Sequence, residues 1–138
     1  MQHFLTLKDL SQRELEKIIK RAIELKQEPQ QAMRAELKTL GLMFSKASTR
    51  TRVAFEVAMN QLGGSAIFLT DNDAQTGRGE PVADTARVIS SMVDLVAVRT
   101  HAHSQLVEFA SHSRVPVINA LSDDFHPCQL LADVQTFM

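Results

Sequence analysis

The chain has 138 residues, 44% of them hydrophobic and 22% charged, with 15 Lys and Arg against 16 Asp and Glu. That is the size of one ordinary domain with enough apolar content for a core, and the balanced charge excludes a broad electrostatic attraction to nucleic acid or an anionic membrane. A single cysteine, Cys128, excludes an internal disulfide and any cysteine-rich zinc module.

Ser11 followed three residues later by Glu14 is a capping box that opens a helix. Leu15, Ile18, Ile19, Ala22 and Leu25 follow at helical spacing, and the helix ends before Pro29. The apolar run 40–44 predicts a buried strand. A polar turn at 45–48 leads into a helix carrying Thr51, Ala54, Phe55, Ala58 and Leu62, closed by Gly63-Gly64, where positive φ is accepted. A second strand spans 66–69, and 71–81 is a long polar loop. Pro81 suits a first helical turn, with Val82, Ala86, Ile89 and Met92 on one face. Then come a strand at 93–98 and a helix at 104–112 with Leu106, Val107 and Ala110 inward. A strand at 115–119 and a loop at 122–125 precede a final helix from His126, with Leu130, Val134 and Phe137 inward.

Strands alternating with helices predict an α/β fold, a three-layer αβα sandwich on a four-stranded parallel sheet. Ligands of such sheets bind beyond the carboxyl ends of the strands, near a switch in strand order. The polar clusters 45–52, 99–103 and 119–129 each follow a strand, so topology alone draws them to one edge. No apolar run approaches the roughly 20 residues of a membrane span. The first residues lack the basic start and apolar stretch of a signal peptide. The expected setting is soluble and cytoplasmic. The last helix reaches Met138 with no cap, Gly or Pro to end it, as in a piece of a longer protein.

Ser48-Thr49-Arg50-Thr51-Arg52 stands between a strand and a helix. Free N–H groups, hydroxyls and the Arg50 fork there suit a phosphate. The other reading is a Ser or Thr cap followed by two solvated arginines. His126-Pro127-Cys128-Gln129 opens the last helix, with Pro127 in its first turn. A His and a Gln there can donate to a carbonyl oxygen and recognise an amide, or simply begin a polar helix. Cys128 has no basic neighbour to make it a nucleophile. Arg99 ends a buried apolar strand and needs a partner or an anion. His101 and His103 lack a carboxylate or thiol companion, so they read as surface residues and not as a metal site. Gln75, Arg78 and Glu80 lie in the long loop, as functional or as solvated residues.

The segment Phe44-Ser45-Lys46-Ala47-Ser48-Thr49-Arg50-Thr51-Arg52, together with His126-Pro127-Cys128-Gln129, resembles the carbamoyltransferase family. The resemblance runs from about Leu5 to Met138. It is closer to the ornithine branch than to the aspartate branch: 73–81 and 126–133 look like the former, and the long loop has no lysine. It implies that 1–138 is a carbamoyl-phosphate-binding domain, and that a second, ornithine-binding domain is absent from this chain. By the same resemblance, Ser48, Thr49, Arg50 and Thr51 hold the phosphate. Arg99, His126 and Thr51 surround the carbamoyl oxygen as the catalytic group. Gln129, with backbone from Pro127 and Cys128, recognises the amide. Gln75 reaches the ligand of a neighbouring subunit in a homotrimer. The implied reaction makes citrulline and phosphate in arginine metabolism with no metal or organic cofactor, and the isolated half is expected to turn over little. The rival readings are a non-catalytic phosphate-binding or assembly module of the same fold, a transcarbamoylase for another amine, and a nucleic-acid module built on Lys46, Arg50 and Arg52, which the near-neutral charge opposes.

Overall fold

The computed structural model describes residues 2–28, 35–70 and 79–138. Helix α1 (Gln12–Gln27) begins at the capping box, with Ser11 Oγ accepting from the Glu14 N–H and the Glu14 carboxylate accepting from the Ser11 N–H at 2.8 Å. Strand β1 (Thr39–Phe44) is buried along nearly its whole length. Ser48 then caps α2 (Thr49–Gln61). At the end of α2, Gly63 takes a φ of 85°, and Gly64 allows a close approach. A Cβ on Gly64 would stand 2.8 Å from each of the Ala35 and Lys38 carbonyl oxygens.

Strand β2 (Ser65–Thr70) and helix α3 (Val82–Ile89) follow. Pro81 stands one place earlier than expected, as the N-cap of α3 and not inside it. The helix stops at Ile89, so Met92 lies past its end and is exposed. Strand β3 (Leu95–Arg99) starts later than the apolar run suggests. The Asp94 carboxylate at its start takes the Thr39 N–H at 2.8 Å and the Lys38 ammonium at 2.8 Å, which locks β3 against β1. Helix α4 (His103–His112) buries Leu106, Phe109 and Ala110. Val107 faces solvent, because one residue's step is about 100° around a helix. Strand β4 (Val117–Leu121) also starts late, because Pro116 has no N–H to give the ladder.

Helix α5 (Pro127–Phe137) packs against α1 and β4. Its inward line is Pro127, Leu131 and Gln135, spaced by four. The expected line of Leu130, Val134 and Phe137 lies outward, with Phe137 91% exposed.

The four strands are parallel, in the order β2-β1-β3-β4. Alternation along each strand feeds two cores. Met43, Val96, Val98 and Val117 meet Leu106, Phe109 and Ala86 on the α3–α4 side. Leu40, Leu42, Phe44 and Ala97 meet Met59 of α2 on the other. Residues 3–5 add a feature that the sequence did not announce. Phe4 bridges Ile118, donating to the Val117 carbonyl and accepting from the Asn119 N–H, both at 2.8 Å, so this segment lies along the outer margin of β4. Among the described residues no helix is long and apolar enough to cross a membrane.

Candidate functional site

The chain leaves β1 on one side to make β2 and returns on the other side as β3. The switch in strand order therefore lies between the carboxyl ends of β1 and β3, where the helices diverge and leave a crevice. Phe44 and Arg99 are register partners there, and the Ser45 N–H donates to the Arg99 carbonyl at 2.8 Å.

Ser48 Oγ accepts from the Thr51 N–H at 3.3 Å and donates to Thr51 Oγ1 at 2.9 Å. Arg99 Nη1 reaches the same Thr51 oxygen at 3.4 Å. The Nε of Arg99 is buried with no hydrogen-bond partner. His126, the N-cap of α5, likewise has a buried Nδ1 without a partner. Unpaired buried donors and acceptors are costly unless a ligand or water completes them. Lys46, before α2, and Asp123, before α5, form an ion pair that ties the two loops together. Thr51 and Arg99 thus meet from two separate stretches, and the His126 imidazole feels the Arg99 charge.

The first turn of α2 contains Arg50 and Arg52 and no acid. Cations at a helix N-terminus oppose the dipole, so this end favours an added anion. Arg52 is engaged, donating to Glu56 at 2.9 Å and lying 3.8 Å above the Phe68 ring. Arg50 is exposed and makes no ion pair among the described residues. Ser45, Ser48, Thr49 and Arg52 line a groove of about 680 Å³. A second hollow of about 270 Å³, holding Glu80, Thr100 and Gln105, opens between the strand ends and α3–α4. Arg99 and His126 line neither.

Other expectations fare differently. Gln129 is exposed and donates to Asp133 at 2.8 Å, along its own helix. Pro127 is fully buried in the first turn of α5. Burial pushes the Cys128 thiol up to about 11, and its sulfur lies 3.5 Å from the Asn119 carbonyl, which suits an inert packing role. Gln75 and Arg78 lie outside the described residues. Glu80 accepts from Thr85 Oγ1 at 2.7 Å, at the start of α3. His101 is exposed, whereas His103 is half-buried, with Nδ1 2.8 Å from Ser122 Oγ. The signal was present: His103 precedes Leu106 by three and Ala110 by seven, on the helix's buried face.

Burial lowers the His126 imidazole below its ordinary 6.5, and the Arg99 charge lowers it further, against a smaller opposite pull from Asp133. His3 is lowered too, by burial and then by the terminal amine. An unfolded chain takes up these protons first as pH falls. Their contribution to stability is therefore complete above about 6.5 and is lost as pH drops through the folded values. Asp123, held down by Lys46, and Asp94, held down by Lys38, add a second loss below their ordinary 3.8. Calorimetric melting across pH should show both declines, and His126→Gln should shrink the first. A melting temperature that is flat from pH 7 to pH 5 contradicts the burial argument.

The sequence profile of the family described as aspartate/ornithine carbamoyltransferase, carbamoyl-P binding domain, matches residues 2–138. The chain is 57% identical to the ornithine carbamoyltransferase of Psychrobacter cryohalolentis over 140 residues, covering 99% of this chain and 46% of that protein. It is 57% identical to the ornithine carbamoyltransferase of Acinetobacter baumannii over 141 residues, with 100% and 46% covered. The crystal structure of anabolic ornithine carbamoyltransferase from Campylobacter jejuni superposes with a TM-score of 0.94 at 53% identity, covering 99% of this chain and 45% of that one. The chain thus spans about half the length of the relatives it matches.

Proposed function

The chain belongs to the aspartate/ornithine carbamoyltransferase family, matching its carbamoyl-phosphate-binding domain, and from that premise we propose that it supplies the carbamoyl-phosphate half of an ornithine carbamoyltransferase. The reaction moves the carbamoyl group to the δ-amine of L-ornithine and yields L-citrulline and phosphate. The observation that carries the reading is the Thr51–Arg99 contact at the strand-order switch, with His126 within electrostatic reach.

The neutral amine nitrogen attacks the carbamoyl carbon, the bond to the phosphate oxygen breaks, and the proton that the nitrogen sheds leaves on the phosphate. Charge grows on the carbonyl oxygen, where the Arg99 guanidinium, the Thr51 hydroxyl and an N–H of His126 donate. The lowered pKa of His126 keeps it neutral, a donor that brings no second full charge beside Arg99. Preorganised donors of this kind are each worth about 3–4 kcal/mol in acyl transfer. Ser48, Thr49 and Arg50, at the amino end of α2, take the departing phosphate. Gln129, once it leaves Asp133, and the backbone of Pro127 and Cys128 meet the amide. Ornithine is held by residues beyond this half, and Gln75 serves a neighbouring site in a homotrimer. The setting is the cytoplasm and arginine synthesis. Ordering two reactants is worth about 7–11 kcal/mol, so the half alone binds but turns over little.

The Gln129–Asp133 bond favours a second reading, a phosphate module with no eye for the amide. Calorimetric titration with carbamoyl phosphate and with inorganic phosphate separates the two. Arg50→Ala should cost about 1.5–3 kcal/mol with either ligand, the scale of a charged hydrogen bond. Gln129→Ala should weaken carbamoyl phosphate alone. An unchanged dissociation constant in Arg50→Ala removes the cradle.

A further inference from the structure

The imidazole of His126 makes no side-chain hydrogen bond among the described residues, and its Nδ1 is a buried orphan. Where that ring stands is therefore set by the backbone leading into it. That backbone is held from several directions. The Phe125 carbonyl accepts from the Ser122 N–H at 2.9 Å, from Asn119 Nδ2 at 3.3 Å and from Ser122 Oγ at 3.4 Å. Asn119 is fully buried and Ser122 nearly so.

His103 closes this turn from another element. Its Nδ1 lies 2.8 Å from Ser122 Oγ, and its ring meets the Phe125 ring edge-on, with centroids 4.7 Å apart. The Asp123 N–H donates to the His101 carbonyl at 2.9 Å, which fastens the same turn to the same segment. Asn119 Nδ2 also donates to Ser122 Oγ at 3.3 Å, so the hydroxyl is tied to β4 as well as to α4. Whichever of the two atoms donates, the bond joins α4 to the turn that leads into His126. His103 spends nothing on its own helix: α4 has no side-chain cap. Opening the turn would break several buried hydrogen bonds at once.

We propose that His103 is a positioning residue for His126, fixing through Ser122 and the Phe125 carbonyl where that imidazole stands beside Arg99. The inference deepens the carbamoyl-phosphate reading and rests on it for what His126 then does. The charged groups acting on His126 are Arg99 at the end of β3 and Asp133 on α5. Asn can offer its Oδ1 close to where Nδ1 stands, so His103→Asn keeps the bond to Ser122 and His103→Ala removes it.

The test uses this chain labelled on its histidine rings, with NMR titration of His126 and calorimetry with carbamoyl phosphate and inorganic phosphate. In His103→Ala the His126 titration should rise towards 6.5, its ordinary value. The preference for carbamoyl phosphate over phosphate should fall about fivefold, the worth of one neutral hydrogen bond. His103→Asn should restore both, which a purely space-filling ring would not allow. Ser122→Ala should match His103→Ala, and the double variant should be no worse than either. If His103→Ala fails to fold, Ser122→Ala and His103→Asn carry the same comparison. A folded variant lacking the bond, with the His126 titration and the ligand preference unchanged, overturns the proposal, as does a failure of Asn to restore them. Equal affinity of the unaltered chain for both ligands instead defeats the carbamoyl-phosphate reading, and the His126 titration still decides the positioning.

Discussion

Arg99→Met lowers affinity for carbamoyl phosphate by about 1.5–3 kcal/mol, roughly 10- to 150-fold, while the melting temperature holds or rises. The two halves of this expected result come from one observation. The guanidinium stands at the strand-order switch with Nε buried and unpartnered, and among the described residues its one hydrogen bond is the long one to Thr51. A donor kept unpaired in the fold costs stability, and its replacement by an apolar chain of similar length removes that cost. The ligand loses a charged donor in the same step. Calorimetric titration and a thermal melt on one sample check both. Lost affinity with lost stability would make Arg99 a structural residue, and kept affinity would remove it from the site.

Leu106→Ala should destabilise the chain by about 2–5 kcal/mol. Leu106 is fully buried in the core that α3 and α4 form over Met43, Val96 and Val98. A close-packed interior closes only partly over the missing atoms. For a chain of this size the melting temperature should fall by about 10 °C. Val107→Ala, at the half-exposed neighbour, should stay within about 0.5 kcal/mol. Denaturant unfolding of the two variants reads the contrast, and comparable losses would mean that the inward face of α4 is misassigned.

The pair Leu106 and Val107 shows where sequence reasoning stops. A periodicity of 3.6 gives the interval between buried residues, but the phase belongs to whatever the helix packs on. For α4, Phe109 and Ala110 settle the phase and Val107 loses. For α5, contact with α1 and β4 selects Pro127, Leu131 and Gln135, and leaves Leu130 and Val134 half exposed. Strand ends slip for a related reason. Asp94 and Pro116 decide where pairing begins, and neither acts through hydropathy. Local chemistry was legible where it is self-contained: the Ser11–Glu14 box read directly from residue types, and a Ser or Thr cap before α2 was one of two readings, with Ser48 the residue that takes it. Convergence of the polar clusters on one edge was legible too, because a parallel sheet with helical crossovers leaves the strand ends little choice. The Ser122–His103 bond was not, since nothing local marks a serine and a histidine as partners across that distance in sequence.

The short segment around Phe4 has a consequence for assembly. It lies along one flank of the sheet, while among the described residues no strand lies outside β2 on the opposite flank, where Ile67 is half exposed. Without that segment the molecule would be a ribbon open on both sides with all strands pointing one way, so one copy's right side would match the next copy's left. Such a head-to-tail match closes into a ring only when its rotation allows, and otherwise grows into a fibre. The residues around Phe4 thus cap a sheet margin whose backbone groups would otherwise be open to another strand.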